Sequence, residues 1–242
     1  MGIKNWHKGI ITLALIAFGI QGWSQKSDLG AWYMYMGDQR IQGRWHWWNE
    51  VQYRDYQMMG DIEQLLLRTA ISYDLSENNN ALSLGYGYIH SENYTDPMRE
   101  IKDQKSKDDE HRIYQQFFTK QKFGRFYLNH RFRFEQRFIN AQSTLKYRLR
   151  YFLQFRAAIT KPKLEKGCLY FSAYNEIFVT SPSFEMDRMR TYTAAGYQLT
   201  PNLKLEAGVM YQNVIQDRGR TQLQVLLINS LPFKKKSKDS TK

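Results

Sequence analysis

From Arg125 the chain reads "RFYLNHRFRFEQRFI", and from Thr144 "TLKYRLRYFLQFRAAI". Successive side chains of an extended strand point to opposite faces. In the first stretch Tyr127, Asn129, Arg131, Arg133, Glu135 and Arg137 share one face, while Phe126, Leu128, Phe132, Phe134 and Phe138 share the other. In the second, Lys146, Arg148, Arg150, Gln154 and Arg156 oppose Leu145, Tyr147, Leu149, Tyr151, Leu153 and Phe155. A helix would scatter these sets around its circumference, so the period is two and the segments are strands. They exceed the usual soluble strand of about five or six residues. Their length suits a strand that crosses a membrane, which needs roughly 9 to 11 residues.

The same alternation recurs in "RWHWWNEVQYRDY", where Arg44, His46, Trp48, Glu50, Gln52 and Arg54 share a face. It recurs again in "NLKLEAGVMYQN", with Lys204 and Glu206 on one side and Leu203 and Leu205 on the other. Strands are expected at about 31–36, 44–54, 62–74, 81–92, 111–122, 125–138, 144–159, 168–180, 188–199, 203–214 and 221–231. Turn signals separate them: "SENNN", "FG", "KPKLEKG", "SPSFEMD", "TPN" and "QDRGR". The expected fold is all-β, an antiparallel up-and-down transmembrane β-barrel of about 10 to 12 strands. "TPN", "KPKLEKG", "FG" and "SENNN" fall at one end, and the charged segment from Asn93 falls at the other as an external loop. That scheme accommodates ten strands and leaves "AWYMYM" at 31–36 unplaced, either as an addition to a ten-stranded barrel or as one strand of twelve.

Residues 1–24 read as a secretory signal peptide: Lys4 and Lys8, the apolar run "GIITLALIAFGI", and small residues Gly22 and Ser24 ahead of Gln25. That run falls short of the roughly 20 residues a spanning helix needs. No later stretch is apolar enough for one, so any crossing must be by closed barrel. The organisation expected is a signal peptide at 1–24, a barrel at 25–233 and a basic periplasmic tail at 234–242. The location implied is the outer membrane of a Gram-negative bacterium.

The combination "WHWWNEVQYRDY", "IEQLLLRTAISYDL" and "LSLGYGYIHSEN" resembles a bacterial family catalogued as domain of unknown function 2490. The resemblance rests on Glu50, Gln52, Tyr53 and Arg54, on Gln64 to Arg68, and on Gly85, Tyr86, Gly87 and Tyr88. It implies an outer-membrane barrel behind a signal peptide and brings no assigned activity.

The net charge of +12 from 35 basic and 23 acidic residues would suit nucleic acid in a soluble protein. Here most of it is directed inward. By parity the lumen collects Arg44, Arg54, Arg68, Arg131, Arg133, Arg137, Lys146, Arg148, Arg150, Arg156, Arg188, Arg190 and Lys204 against Glu50, Asp74, Glu135, Glu176 and Glu206. Two functions fit that surplus. Unpaired arginines would line a narrow anion-favouring channel or hold a small anionic ligand; arginines paired with glutamates would plug a structural or interaction barrel. A lipid-modifying enzyme ranks third, because His90 and Ser91 in "GYIHSEN" are adjacent and point to opposite faces, whereas a nucleophile and its base must share a surface.

Cys168 is the sole cysteine and lies in an apolar pattern, as a small hydrophobe would. His46, His111 and His130 fall on separate strands without metal spacing. No cofactor is expected. The expected surroundings are outer-membrane lipid and lipopolysaccharide, with no nucleic acid, and the chain as a monomer.

Overall fold

The computed structural model describes residues 29–76, 79–95, 104–140, 144–215 and 219–232. The signal peptide expected at 1–24 and the basic tail at 234–242 lie outside the described residues. Eleven strands follow one another: β1 Gly30–Gln42, β2 Trp45–Asp55, β3 Ile62–Asp74, β4 Asn80–Tyr94, β5 Lys105–Phe123, β6 Phe126–Ile139, β7 Thr144–Ala158, β8 Leu169–Thr180, β9 Glu185–Thr200, β10 Leu203–Val214 and β11 Arg220–Asn229. Each pairs with its chain neighbours, and β1 pairs with β11, so the sheet closes into a barrel. Closure leaves no row of unpaired backbone groups at an edge.

Chain neighbours pair antiparallel throughout, but the closing seam is parallel, in register from Gly30↔Gln222 to Gly37↔Asn229. The expected purely antiparallel barrel is corrected on this point. An odd number of alternating strands brings the first and last into the same direction, so one parallel seam must close the ring. The segment at 31–36 is therefore neither an addition to ten strands nor one of twelve. It extends to Gln42 and is the eleventh stave.

The tightest turns, 43–44, 124–125 and 201–202, lie at one end of the barrel with the 75–79 and 159–168 connections. Gly43 and Gly124 adopt positive φ of 55° and 57°, the left-handed conformation such turns require. The other end carries the connections 56–61 and 181–184 and the strand ends at Tyr94, Lys105, Ile139, Thr144, Val214 and Arg220. Of the charged segment expected as a loop from Asn93, residues 105–110 belong to β5, which stays paired with β4 out to Tyr94↔Lys105, and 96–103 lie outside the described residues. Cys168 lies just ahead of β8, fully buried, with its carbonyl accepting the Gln198 N–H at 3.0 Å.

The barrel is inside out relative to a soluble one. Its exterior exposes Val51, Leu67, Leu84, Ile113, Phe132, Leu149, Phe171, Val209 and Val225, drawn from nine different strands. Cross-strand aromatic pairs stiffen that surface, with Phe132 on Tyr151 at 4.8 Å and Phe134 on Tyr147 at 5.8 Å. Buried charged and amide side chains fill much of the interior. Glycines admit two interior tyrosines: a Cβ at Gly85 would lie 2.2 Å from the Tyr114 ring, and one at Gly196 would lie 2.2 Å from the Tyr170 ring.

Candidate functional site: a charged lumen with a pocket

Buried glutamates act as hubs for the lumenal arginines. Glu135 on β6 receives Arg148 at 2.5 Å and Arg150 at 2.7 Å, with Arg133 at 3.5 Å. Glu176 on β8 receives Arg131 and Arg150, both at 2.6 Å, with Arg190 at 3.6 Å. Arg150 thus ties the two hubs together. Glu50 binds Arg68 at 2.8 Å and accepts the Gln52 side-chain amide. Glu206 takes Arg156 at 2.8 Å and the Tyr170 hydroxyl at 2.9 Å.

The geometry explains why arginine fills these positions. A planar guanidinium offers five donors and can serve two carboxylates while its face lies on an aromatic ring. Arg133 packs over Tyr114 at 4.3 Å, and Arg150 over Phe178 at 4.7 Å. Glu135 is 1 % exposed at its side chain and Arg133 is fully enclosed, so this part of the lattice is packed within the barrel.

A further hub, Glu110, binds Arg112 at 2.6 Å and Arg137 at 2.5 Å. Sequence reasoning placed Arg137 in the lumen but missed Glu110 and Arg112, since Glu110 sits at the end of a charged run that resembles a loop. The parity of Tyr114, continued back to Arg112 and Glu110, was the signal available.

Arg44 is corrected. It occupies the tight turn at the barrel rim, exposed, and only its carbonyl takes part, accepting the Asp74 N–H at 2.9 Å. Of the other residues assigned to the lumen, Glu50, Arg54, Arg68, Asp74, Arg131, Arg150, Arg156, Glu176, Arg190 and Lys204 line a cavity of about 640 Å³, several of them as lattice members too, while Arg133, Glu135, Arg148 and Glu206 are buried and Arg137, Lys146 and Arg188 are half-buried.

This cavity reaches the rim at Lys122, Pro201 and Ser230, so it opens at the end carrying the tight turns. Its walls are unlike each other. β1 and β11 supply Trp32, Met34, Met36, Leu226 and Ile228, while β5, β6 and β7 supply Lys120, Asn129, Arg131, Phe152 and Arg156. At the depth of Trp32 stand Arg54, 3.7 Å from the indole centroid, and Arg190, 4.9 Å from it. Arg54 donates to Gln52 and Gln64, and no carboxylate of the described residues lies within 4.0 Å of it. The Trp32 Nε1 donor is buried without an acceptor. Near the mouth His46 bridges Asp38 at 3.3 Å and Asp74 at 2.7 Å.

The His90 and Ser91 side chains stand on opposite sides of the wall. His90 Nδ1 meets Asp109 at 2.7 Å outside, and the Ser91 hydroxyl accepts the Gln64 amide at 2.9 Å inside. His111 pairs with Tyr86 at 2.6 Å and His130 with Tyr151 at 2.9 Å. Among the described residues no three histidine, cysteine or carboxylate side chains are placed so that they could hold a metal ion.

Fold and interior together define a closed β-barrel with a charged, packed lumen and an apolar coat. A family model described as "Protein of unknown function (DUF2490)" matches residues 29–224, and the chain belongs to that family. No curated protein and no solved structure matches it.

Proposed function

We propose that this protein is a monomeric outer-membrane β-barrel whose lumen is sealed against ion flow and which binds a small anionic ligand in a pocket facing the periplasm. The observation that carries the reading is a cavity with a cationic surplus, which reaches the rim at the tight-turn end and whose inner walls include arginines and glutamates of the hub lattice. The commitment of Arg131, Arg133, Arg148 and Arg150 to Glu135 and Glu176 argues against a continuous positive path and disfavours the anion-channel alternative. The cavity is of the size that small-molecule sites occupy.

Membrane residence is supported by the exposed apolar coat, far larger than a soluble monomer carries. It is also supported by strand lengths from 10 to 19 residues. The tight-turn end is assigned to the periplasm, because outer-membrane barrels keep short turns on that side. Lipid and lipopolysaccharide then surround the wall and the opposite rim, and no cofactor is invoked.

Thiol labelling of intact cells tests this placement. Met58→Cys, at the longer-loop end, is expected to react with a membrane-impermeant maleimide from outside. Asn202→Cys, at the tight-turn end, is expected to react only after permeabilisation. The reverse pattern would invert the pocket, and recovery of the protein in the soluble fraction would remove the membrane from the account.

A further inference from the structure

The pocket's floor and walls specify more than charge. Arg54 and Arg190, respectively 5 % and 6 % exposed, both pack on Trp32 and both line the cavity. Two like charges held out of water around one ring are costly unless anions compensate them. Arg190 donates its Nε to Gln212 at 2.8 Å and has Glu176 Oε2 only at 3.6 Å, while the shorter bonds of that carboxylate, from Arg131 and Arg150, fall on Oε1. Arg54 has only amides. The Trp32 Nε1 donor beside them is unpartnered, although buried polar groups almost always find a partner. The floor is therefore short of a multidentate acceptor.

From this floor to the rim the β1–β11 wall is apolar, through Met34, Leu226, Met36 and Ile228. These residues lie in adjacent register, Met34 beside Leu226 and Met36 beside Ile228, so they form one strip along the pocket. Lys120, Lys122 and Lys204 stand around the entrance, where they draw anions inward.

Resting on the ligand-binding reading above, we propose that the ligand is a single-chain amphiphilic carboxylate, bound head-first. Its carboxylate meets Arg54, Arg190 and the Trp32 indole N–H, and its apolar tail lies on the Met34–Leu226–Met36–Ile228 strip. A carboxylate matches the fork of a guanidinium, and methionine adapts to tails of differing shape.

The test is calorimetric titration of the refolded mature protein in detergent with three probes, corrected against empty micelles: phenylbutyrate, phenylbutanol and inorganic phosphate. Phenylbutyrate is expected to bind about tenfold or more tighter than either of the others, the worth of one or two charge-assisted hydrogen bonds. Arg54→Gln is expected to reduce phenylbutyrate to the level of phenylbutanol, and Leu226→Trp to weaken both by filling the tail space. Phosphate binding as tightly as phenylbutyrate would overturn the amphiphile and leave an anion pocket. Equal binding of phenylbutyrate and phenylbutanol by the unmutated protein would overturn the carboxylate. Failure of all three probes on folded protein would remove the ligand-binding reading itself.

Discussion

Arg133 and Arg150 sit directly opposite each other across the β6–β7 ladder, and both are almost completely buried. Like charges in that position repel. They are tolerated because Glu135, two residues along β6, reaches both, at 3.5 and 2.7 Å. The interior is thus stabilised by a carboxylate shared among guanidiniums, and its removal leaves several buried cations uncompensated.

Glu135→Gln is accordingly expected to destabilise the folded barrel by about 3 kcal/mol or more, the usual cost of breaking a buried pair. Glu165→Gln, whose partners Lys161 and Lys163 stand at the surface, should stay within about 0.5 kcal/mol of the parent. Denaturant unfolding in detergent, followed by intrinsic fluorescence, compares them. Equal stability of the two variants would mean that the lattice contributes nothing.

Gly85 is required by the Tyr114 ring, which occupies the space a side chain would need. Gly85→Ala is expected to cost about 1 to 3 kcal/mol through overpacking. Tyr114→Phe keeps the ring and loses the hydroxyl bond to the Thr69 carbonyl, at 3.0 Å, for about 1 kcal/mol. The same unfolding measurement ranks them, and the alanine variant should be the weaker.

The parallel seam makes a prediction of register. Cysteines at Tyr33 and Val225, or at Tyr35 and Leu227, should oxidise to a disulfide, since both pairs are direct neighbours. The crossed pairs, Tyr33 with Leu227 and Tyr35 with Val225, should not. An antiparallel closure would join the crossed pairs instead, so gel mobility after oxidation separates the two topologies.

The alternation of side chains made the strands and their inward faces legible, because "RFRFEQRF" and "YRLRYFLQFR" are mostly polar on one face and mostly apolar on the other, with Gln136 and Phe152 as the exceptions. β1 escaped the rule for a physical reason. Its inward Trp32, Met34 and Met36 are as apolar as its outward tyrosines, so no polar ladder marks it as a stave, and periodicity says nothing of strand direction. Whether the cationic surplus formed a path or a lattice was also illegible. Arg150 finds Glu176 26 residues away on the next strand of the barrel, and only the cross-strand register brings the two together.

The central claim is that the lumen is sealed, and planar-bilayer conductance of the refolded mature protein tests it most directly. Protein shown to be folded by a heat-dependent gel shift should insert and remain electrically silent across a salt gradient. Steady anion-selective steps from the unmutated chain would contradict the account, because they would require a continuous positive path past Glu135 and Glu176.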